Sequence, residues 1–147
     1  MNKNGEIIIV EDDGDDSDFV CESLKDLKIQ NEVICFNNAN DALTHLRKVD
    51  SDPFFILADL RMPLINGLEL KQMIYADENL IKKAVPYILY STTINSSIFN
   101  TALAVGVQGF FVKPASMDGL RDLLETILKY MNDVMGNSEF TQMHKTG

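Results

Sequence analysis

The strongest constraint on the fold is a repeated alternation between short apolar runs and longer segments with helical periodicity. The runs are four or five residues long and nearly continuous, which is typical of parallel strands covered on both faces. They predict five strands, at residues 6–10, 32–36, 54–58, 87–90 and 109–112.

The segments that follow each run predict helices at 17–27, 39–49, 67–77, 96–105 and 116–131. The last is the clearest, because its apolar residues fall at the spacing of one helical face: Leu120, Leu123, Leu124, Ile127, Leu128 and Met131. Strand and helix alternate five times, which favours an α/β fold with a doubly wound, five-stranded parallel sheet and helices on both faces.

The length and charge of the chain limit its organisation and its partners. A chain of 147 residues is most simply one domain, and we place it at residues 5–131, followed by a short polar tail at 132–147. The 13 basic and 22 acidic residues give a net charge of −9. Because nucleic-acid binding depends on Lys and Arg that neutralise phosphates, no nucleic-acid partner is expected.

Two further features concern the compartment. The apolar run 7–10 is too short for a signal peptide or a membrane span, so we expect a cytoplasmic protein without membrane contact. Cys21 and Cys35 form no CxxC or other ligand pattern. In a reducing compartment we therefore expect two free thiols that serve as small core residues.

Six acidic residues follow the first predicted strand, within residues 11–18. Asp15, Asp16 and Asp18 suit the positive end of a helix dipole in a solvated first turn. That explanation does not extend to Glu11 and Asp12, which come directly after the apolar run. Carboxylates this close resist ionising unless a cation is near them.

The other predicted strands also end in chemically useful residues. The third ends at Asp59, the fourth at Ser91-Thr92, and the fifth at Lys113-Pro114. Because ligands bind outside the carboxyl ends of parallel strands, these groups are expected to meet at one edge of the sheet. Carboxylates gathered without His or Cys favour a hard cation, and Mg²⁺ suits one or two carboxylates together with a phosphate.

Four motifs in this order resemble the receiver domain of bacterial two-component response regulators. They are VEDD at Val10–Asp13, ADLRMPLING at Ala58–Gly67, YST at Tyr90–Thr92 and FFVKP at Phe110–Pro114. The likeness covers about residues 5–131 and is to stand-alone, chemotaxis-type regulators. The loop 77–86 and the stretch STTIN at 91–95 are similar to regulators that partner phytochrome-type kinases.

The resemblance implies a fold and a phosphorylation site. The strand order would be the flavodoxin-like 2-1-3-4-5. Asp59 would accept a phosphoryl group from a histidine kinase or a phosphotransfer protein. Mg²⁺ would be held by Asp12, Asp59 and the backbone carbonyl of Arg61, with Glu11 acting through water.

It also implies residues that respond to the phosphoryl group. Lys113 and Ser91 would each contact one phosphoryl oxygen, and Phe110 stands where the family often has a switch tyrosine. The Lys113–Pro114 bond would be cis, as is usual in the family. Arg61 and Thr93 occupy the variable positions that tune dephosphorylation.

The pattern leaves no room for an effector domain of ordinary size. We therefore expect a single-domain regulator that is not a classical enzyme but promotes its own phosphoryl transfer and dephosphorylation. Its output would be phosphorylation-dependent binding to a protein partner or to a second copy of itself, or onward transfer as a phosphorelay intermediate.

Three alternatives fit the sequence less well. A haloacid-dehalogenase-type phosphatase needs a second acid two residues after the nucleophile, where Arg61 stands. An EF-hand loop with Gly14 at its sixth position would place Ile9 and Val20 at positions that need ligands. A receiver fold used only for interaction would lack one of the phosphorylation residues, all of which are present. His45 and His144 are interpreted as ordinary surface or boundary residues.

Overall fold

The computed structural model describes residues 2–136 and is built around one parallel sheet. The strands are ordered β2-β1-β3-β4-β5, as predicted. Their bounds are β1 Ile7–Val10, β2 Val33–Phe36, β3 Phe55–Asp59, β4 Tyr87–Ser91 and β5 Gly109–Val112. Strands β1, β3 and β4 are buried throughout, which agrees with their continuous apolar sequence.

Helices cover both faces of the sheet and enclose a separate apolar core on each. They are α1 Gly14–Asp26, α2 Ala39–Leu46, α3 Gly67–Ala76, α4 Glu78–Lys82, α5 Ser96–Ala104 and α6 Met117–Gly136. The buried residues of α1 and α6 pack on one face, and those of α2, α3, α4 and α5 pack on the other. This arrangement confirms the predicted doubly wound α/β class.

Several helices differ from their predicted extents: α1 begins at Gly14 rather than at 17, and α2 ends at Leu46 rather than at 49. The loop predicted at 77–86 contains the five-residue helix α4, which begins after Asp77 because that side chain accepts hydrogen bonds from the backbone N–H groups of Asn79 and Leu80. Helix α6 continues to Gly136 rather than ending at 131. It thus enters the segment predicted as a polar tail at 132–147, of which residues 137–147 lie outside the described part of the chain, as does His144.

The prediction that both cysteines are free core thiols is wrong. Cys21 on α1 and Cys35 on β2 are joined as a disulfide, and Cys35 is exposed. Helix α1 packs beside β2 and brings the two Cα atoms to 6.9 Å, just beyond the usual range for a disulfide. Sequence spacing alone does not reveal that proximity.

The loop after β3 is held by backbone contacts around Gly67. Its N–H donates to the Leu60 carbonyl at 3.1 Å, and its own carbonyl accepts from the Tyr87 hydroxyl at 2.6 Å. A Cβ atom at position 67 would lie 2.4 Å from the backbone oxygen of Asp59. Only glycine therefore allows α3 to start this close to the end of β3.

Two other expectations concern the backbone and the surface. Throughout residues 2–136 every peptide bond is trans, including Lys113–Pro114, so the cis bond implied by the resemblance is wrong; trans is also the preferred isomer, by about 0.5–1 kcal/mol. Within the same range no helix is long and apolar enough to cross a membrane. His45 lies on α2 and pairs with Glu6 at 2.6 Å.

Candidate functional site

Three carboxylates converge at the carboxyl ends of β1 and β3. Oxygen atoms of Glu11, Asp12 and Asp59 all lie within 4.8 Å of one another. The parallel register of the two strands explains this, because Val10 pairs with Ala58 and the acidic residues follow directly. Glu11 is fully buried, Asp59 is 7% exposed and Asp12 is exposed. The cluster thus extends from the protein interior to solvent.

The ammonium group of Lys113 neutralises part of this charge. Its Nζ atom lies 2.6 Å from Glu11 Oε1, 2.9 Å from Asp16 Oδ2 and 3.3 Å from Asp59 Oδ2. It also lies 4.8 Å from the centre of the Tyr90 ring. Burial alone would lower the pKa of Lys113, but its hydrogen bonds to Glu11 and Asp16 outweigh that effect and raise it. The lysine therefore stays charged at neutral pH.

Glu11 is the most perturbed carboxyl group of the site. Its Oε1 atom accepts hydrogen bonds from Lys113 and, at 2.9 Å, from the buried hydroxyl of Tyr90. Burial raises the pKa of Glu11 to about 7, with a further upward contribution from Asp59, and Lys113 opposes both. Burial thus favours the protonated form of Glu11, whereas the contact with Lys113 favours its carboxylate form.

The loop after β3 wraps around the carboxylate of Asp59. Asp59 Oδ1 accepts a hydrogen bond from the backbone N–H of Arg61 at 3.0 Å, while Oδ2 faces Lys113. The Arg61 guanidinium donates to Thr93 Oγ1 at 2.5 Å. The two variable positions identified in the sequence are thus in direct contact, and they bridge the loops after β3 and β4.

Ser91 and Phe110 lie at the edge of this group. Ser91 is fully buried at the end of β4, one position beyond Tyr90, which pairs in register with Asp59. Its hydroxyl oxygen accepts a hydrogen bond from the Thr93 N–H at 3.4 Å. Phe110 is half-buried on β5 and its ring packs 6.4 Å from that of Phe99 on α5. Phe110 therefore faces α5 rather than the carboxylates.

Sequence reasoning missed two residues of the site. Asp16 was attributed to the first turn of α1, but it contacts Lys113. Tyr90 was predicted at the end of a strand and as the first residue of the YST motif, without a role of its own, but its hydroxyl donates a hydrogen bond to Glu11. The one available signal was the hydroxyl group of Tyr90 itself, because a buried phenol hydroxyl usually requires a hydrogen-bond partner.

The donor set fits Mg²⁺. The candidate ligands that the structure brings together are carboxylate oxygens of Glu11, Asp12 and Asp59, which is the chemistry that a hard divalent cation prefers. Three carboxylates near one ammonium group leave uncompensated negative charge, which a divalent cation would balance. Asp12 supplies the solvent-facing side on which such an ion retains its waters.

Comparison with known proteins assigns this chain to a family. Residues 7–125 match the model of the response regulator receiver domain. The chain is 32% identical over 130 residues to the chemotaxis protein CheY-3 of Vibrio cholerae, covering 88% of this chain and 95% of that protein.

Solved structures agree with this assignment. The phosphorylated cyanobacterial phytochrome response regulator RcpA is 26% identical, with a TM-score of 0.78 and coverage of 87% of this chain and 94% of that one. The Mn²⁺-bound form of the response regulator Rcp1 is also 26% identical, with a TM-score of 0.73 and coverage of 84% and 91%. The carboxylates at the ends of β1 and β3, the sheet order and these similarities lead to one conclusion: the chain belongs to the response regulator receiver domain family of two-component signalling.

Proposed function

We propose that this protein is a two-component response regulator in which Asp59 accepts a phosphoryl group, with Mg²⁺, from a histidine kinase or a phosphotransfer protein. The observation that carries the proposal is the setting of the Asp59 carboxylate. One oxygen is held by the Arg61 N–H at 3.0 Å and the other lies 3.3 Å from the Lys113 ammonium group, within a cluster of three carboxylates.

The transfer is a displacement at phosphorus. A carboxylate oxygen of Asp59 forms a bond to phosphorus while the phosphorus–nitrogen bond to the donor imidazole breaks, and the imidazole leaves with that electron pair. Lys113 neutralises charge on the phosphoryl oxygens, and Ser91 donates a hydrogen bond to one of them. Mg²⁺ would be held by Asp12, Asp59 and the Arg61 carbonyl, with Glu11 acting through water. It would neutralise phosphoryl charge.

The same site would promote loss of the phosphoryl group. Water attacks phosphorus, the bond to the Asp59 oxygen breaks, and the carboxylate is restored with release of inorganic phosphate. The Arg61–Thr93 contact lies across the two loops that flank Asp59. This contact is therefore well placed to limit the approach of water and thereby set the lifetime of the phosphorylated state.

The output proposed for the phosphorylated state is an altered interaction with a protein. Ser91 ends β4 and Lys113 follows β5. Phosphorylation should therefore change the conformation of residues 91–131 most directly. This region exposes apolar side chains on α5, β5 and α6: Phe99, Leu103, Val112 and Met117. These side chains would bind a protein partner or a second copy of this chain. Alternatively, the phosphoryl group would be transferred to the next protein of a phosphorelay. A useful coupling is about 1–3 kcal/mol.

The first experiment measures the phosphoryl group directly. The purified protein is incubated with Mg²⁺ and a small phosphodonor such as acetyl phosphate, and its intact mass is recorded. A gain of one phosphoryl group is expected for the wild type and for the control Asp50→Asn, an exposed acid elsewhere on the surface. Asp59→Asn should show no gain, and a gain that survives in this variant or in chelator contradicts the assignment.

A second experiment measures the output. Amide hydrogen exchange and sedimentation velocity are compared with and without beryllium fluoride, which imitates the phosphoryl group. We expect altered protection within residues 91–131, with altered association if the partner is a second copy. Unchanged protection across that region, under conditions in which Asp59 is occupied, contradicts the proposed output.

A further inference from the structure

We propose that Asp16 is a positioning residue that restrains Lys113 in the resting state, and that the phosphoryl group on Asp59 must displace it. This inference rests on the proposed function of Asp59. It assigns a role to a residue of α1 whose sequence context indicated only a favourable interaction with the helix dipole.

Lys113 has no hydrogen-bonding capacity to spare in the resting state. An ammonium group has three N–H donors. In the structure Nζ contacts three carboxylates, with distances of 2.6 Å to Glu11, 2.9 Å to Asp16 and 3.3 Å to Asp59. All of its donors are thus engaged before any phosphoryl group arrives. A new contact to a phosphoryl oxygen therefore requires the loss or weakening of an existing one.

Of the three contacts that Lys113 makes, the one to Asp16 is the least costly to exchange for a phosphoryl oxygen. Asp59 itself carries the phosphoryl group. The contact between Lys113 and the Asp59 carboxylate is therefore replaced by a contact between Lys113 and a phosphoryl oxygen on the same residue. Glu11 is fully buried, and separating it from Lys113 would leave a buried charge with the Tyr90 hydroxyl as its remaining side-chain donor. The side chain of Asp16, by contrast, is 33% exposed. Water can hydrate it once Lys113 leaves, so this contact is the least costly to break.

Position on α1 favours the same choice. Asp16 lies in the first turn of the helix, where a carboxylate is stabilised by the helix dipole even without a cationic partner. Its backbone N–H donates to Asp13 Oδ1, the N-cap contact of α1, so removing the side-chain charge leaves the cap intact. Asp16 therefore competes with the phosphoryl group for Lys113, and the contact between Asp16 and Lys113 can be broken without unfolding the helix.

The restraint also joins two parts of the protein. Asp16 ties the first turn of α1 to Lys113, which follows β5 and leads into α6. When the phosphoryl group recruits Lys113, this tie is released, and the segment between β5 and α6 becomes free to follow Lys113. Asp16 thereby lowers the affinity of the site for the phosphoryl group and holds the resting arrangement of that segment.

The test compares two variants that remove the same charge from the same helical turn. Asp16→Asn removes the contact with Lys113, whereas Asp15→Asn removes an exposed carboxylate for which the structure shows no such contact. Beryllium fluoride affinity is measured for both at saturating Mg²⁺. We expect Asp16→Asn to bind it about 2–5-fold more tightly than Asp15→Asn, the range typical of a partly exposed ion pair.

A measurement on the metal-free protein provides an independent readout. Exchange of the Lys113 ammonium protons with water, followed by nitrogen-15 NMR, should be faster in Asp16→Asn than in Asp15→Asn. Equal affinities and equal exchange rates in the two variants overturn the role of Asp16, as does weaker beryllium fluoride binding by Asp16→Asn. Failure of the wild type to bind beryllium fluoride through Asp59 would instead overturn the proposed function, so the two failures are distinguishable.

Discussion

Lys113 Nζ lies 2.6 Å from Glu11 Oε1, although 102 residues separate them in the chain. The contact joins the end of β1 to the end of β5. It pairs the ammonium group of Lys113 with Glu11, the most buried carboxylate of the site. Asp12, a candidate ligand for a metal ion, makes no contact with Lys113 within salt-bridge distance among the described residues, whereas Glu11 and Asp59 do.

The first prediction separates these two cations. Asp12→Ala should weaken Mg²⁺ binding, measured by calorimetric titration, because it removes a ligand. Lys113→Ala should leave resting Mg²⁺ affinity nearly unchanged or slightly higher, because it removes a nearby positive charge. Lys113→Ala should also uncouple phosphorylation from the change in protection at residues 91–131. An equal loss of Mg²⁺ affinity in both variants would refute this division of roles.

The second prediction concerns the hydroxyl of Tyr90. Tyr90→Phe keeps the ring that packs in the core but removes the hydrogen bond to Glu11. We expect a loss of about 1–2 kcal/mol in the free energy of unfolding, measured by urea denaturation in chelator, because a buried acceptor loses a partner. Tyr75→Phe is the control, since Tyr75 is 49% exposed. A loss no greater than that of the control would show that the hydroxyl does not stabilise Glu11.

The third prediction is a pH dependence that depends on Glu11. Because burial raises the pKa of Glu11 from 4.5 to about 7, its contribution to stability is fully present below pH 4.5 and is lost as the pH rises through 7. Glu11→Gln cannot titrate. Relative to this variant, the wild type should therefore lose about 2–3 kcal/mol between these limits. Contributions that do not depend on pH cancel in the comparison.

The measurement is urea unfolding of both proteins in chelator at pH 5 and at pH 8, which keeps metal ions out of the site. The unfolding free energy of Glu11→Gln minus that of the wild type should increase from pH 5 to pH 8. A difference that stays constant would show that Glu11 ionises with an ordinary pKa.

The sequence predicted the sheet well because continuous apolar runs such as Ile7–Val10 have few alternatives to a buried parallel strand. It also predicted that Asp59 and Lys113 would meet, since strand ends share one edge of the sheet. Contacts that depend on the direction of a side chain were not predictable in this way. The hydroxyl of Tyr90 and the disulfide of Cys35 both depend on how neighbouring elements pack.

Short elements were missed for a related reason. Helix α4 has only five residues and too few apolar positions to show a period, so its Asp77 cap was the only signal. Asp16 does lie in the first turn of α1, as predicted, and its contact with Lys113 was missed because a carboxylate there already has a sufficient local explanation. Its contact with Lys113 depends on the position of a residue that is distant in sequence.

The last prediction tests the link between the fold and the position of Asp59. A Cβ atom at position 67 would lie 2.4 Å from the Asp59 backbone oxygen and 2.7 Å from Leu89 Cδ2. Gly67→Ala should therefore lower the free energy of unfolding by about 1–3 kcal/mol, because α3 or the end of β3 must move. The same movement should displace the Asp59 carboxylate and slow its phosphorylation by a small phosphodonor.

Gly14→Ala is the matched control, because nothing lies within 4 Å of a Cβ atom at that position. Its unfolding free energy should stay within about 0.5 kcal/mol of the wild type, and its phosphorylation rate should be unchanged. If Gly67→Ala is as stable as Gly14→Ala and is phosphorylated at the wild-type rate, then the close approach of α3 to β3 does not position Asp59. If Gly67→Ala is destabilised but phosphorylated normally, the strain is absorbed by α3 alone, because the carboxylate has not moved.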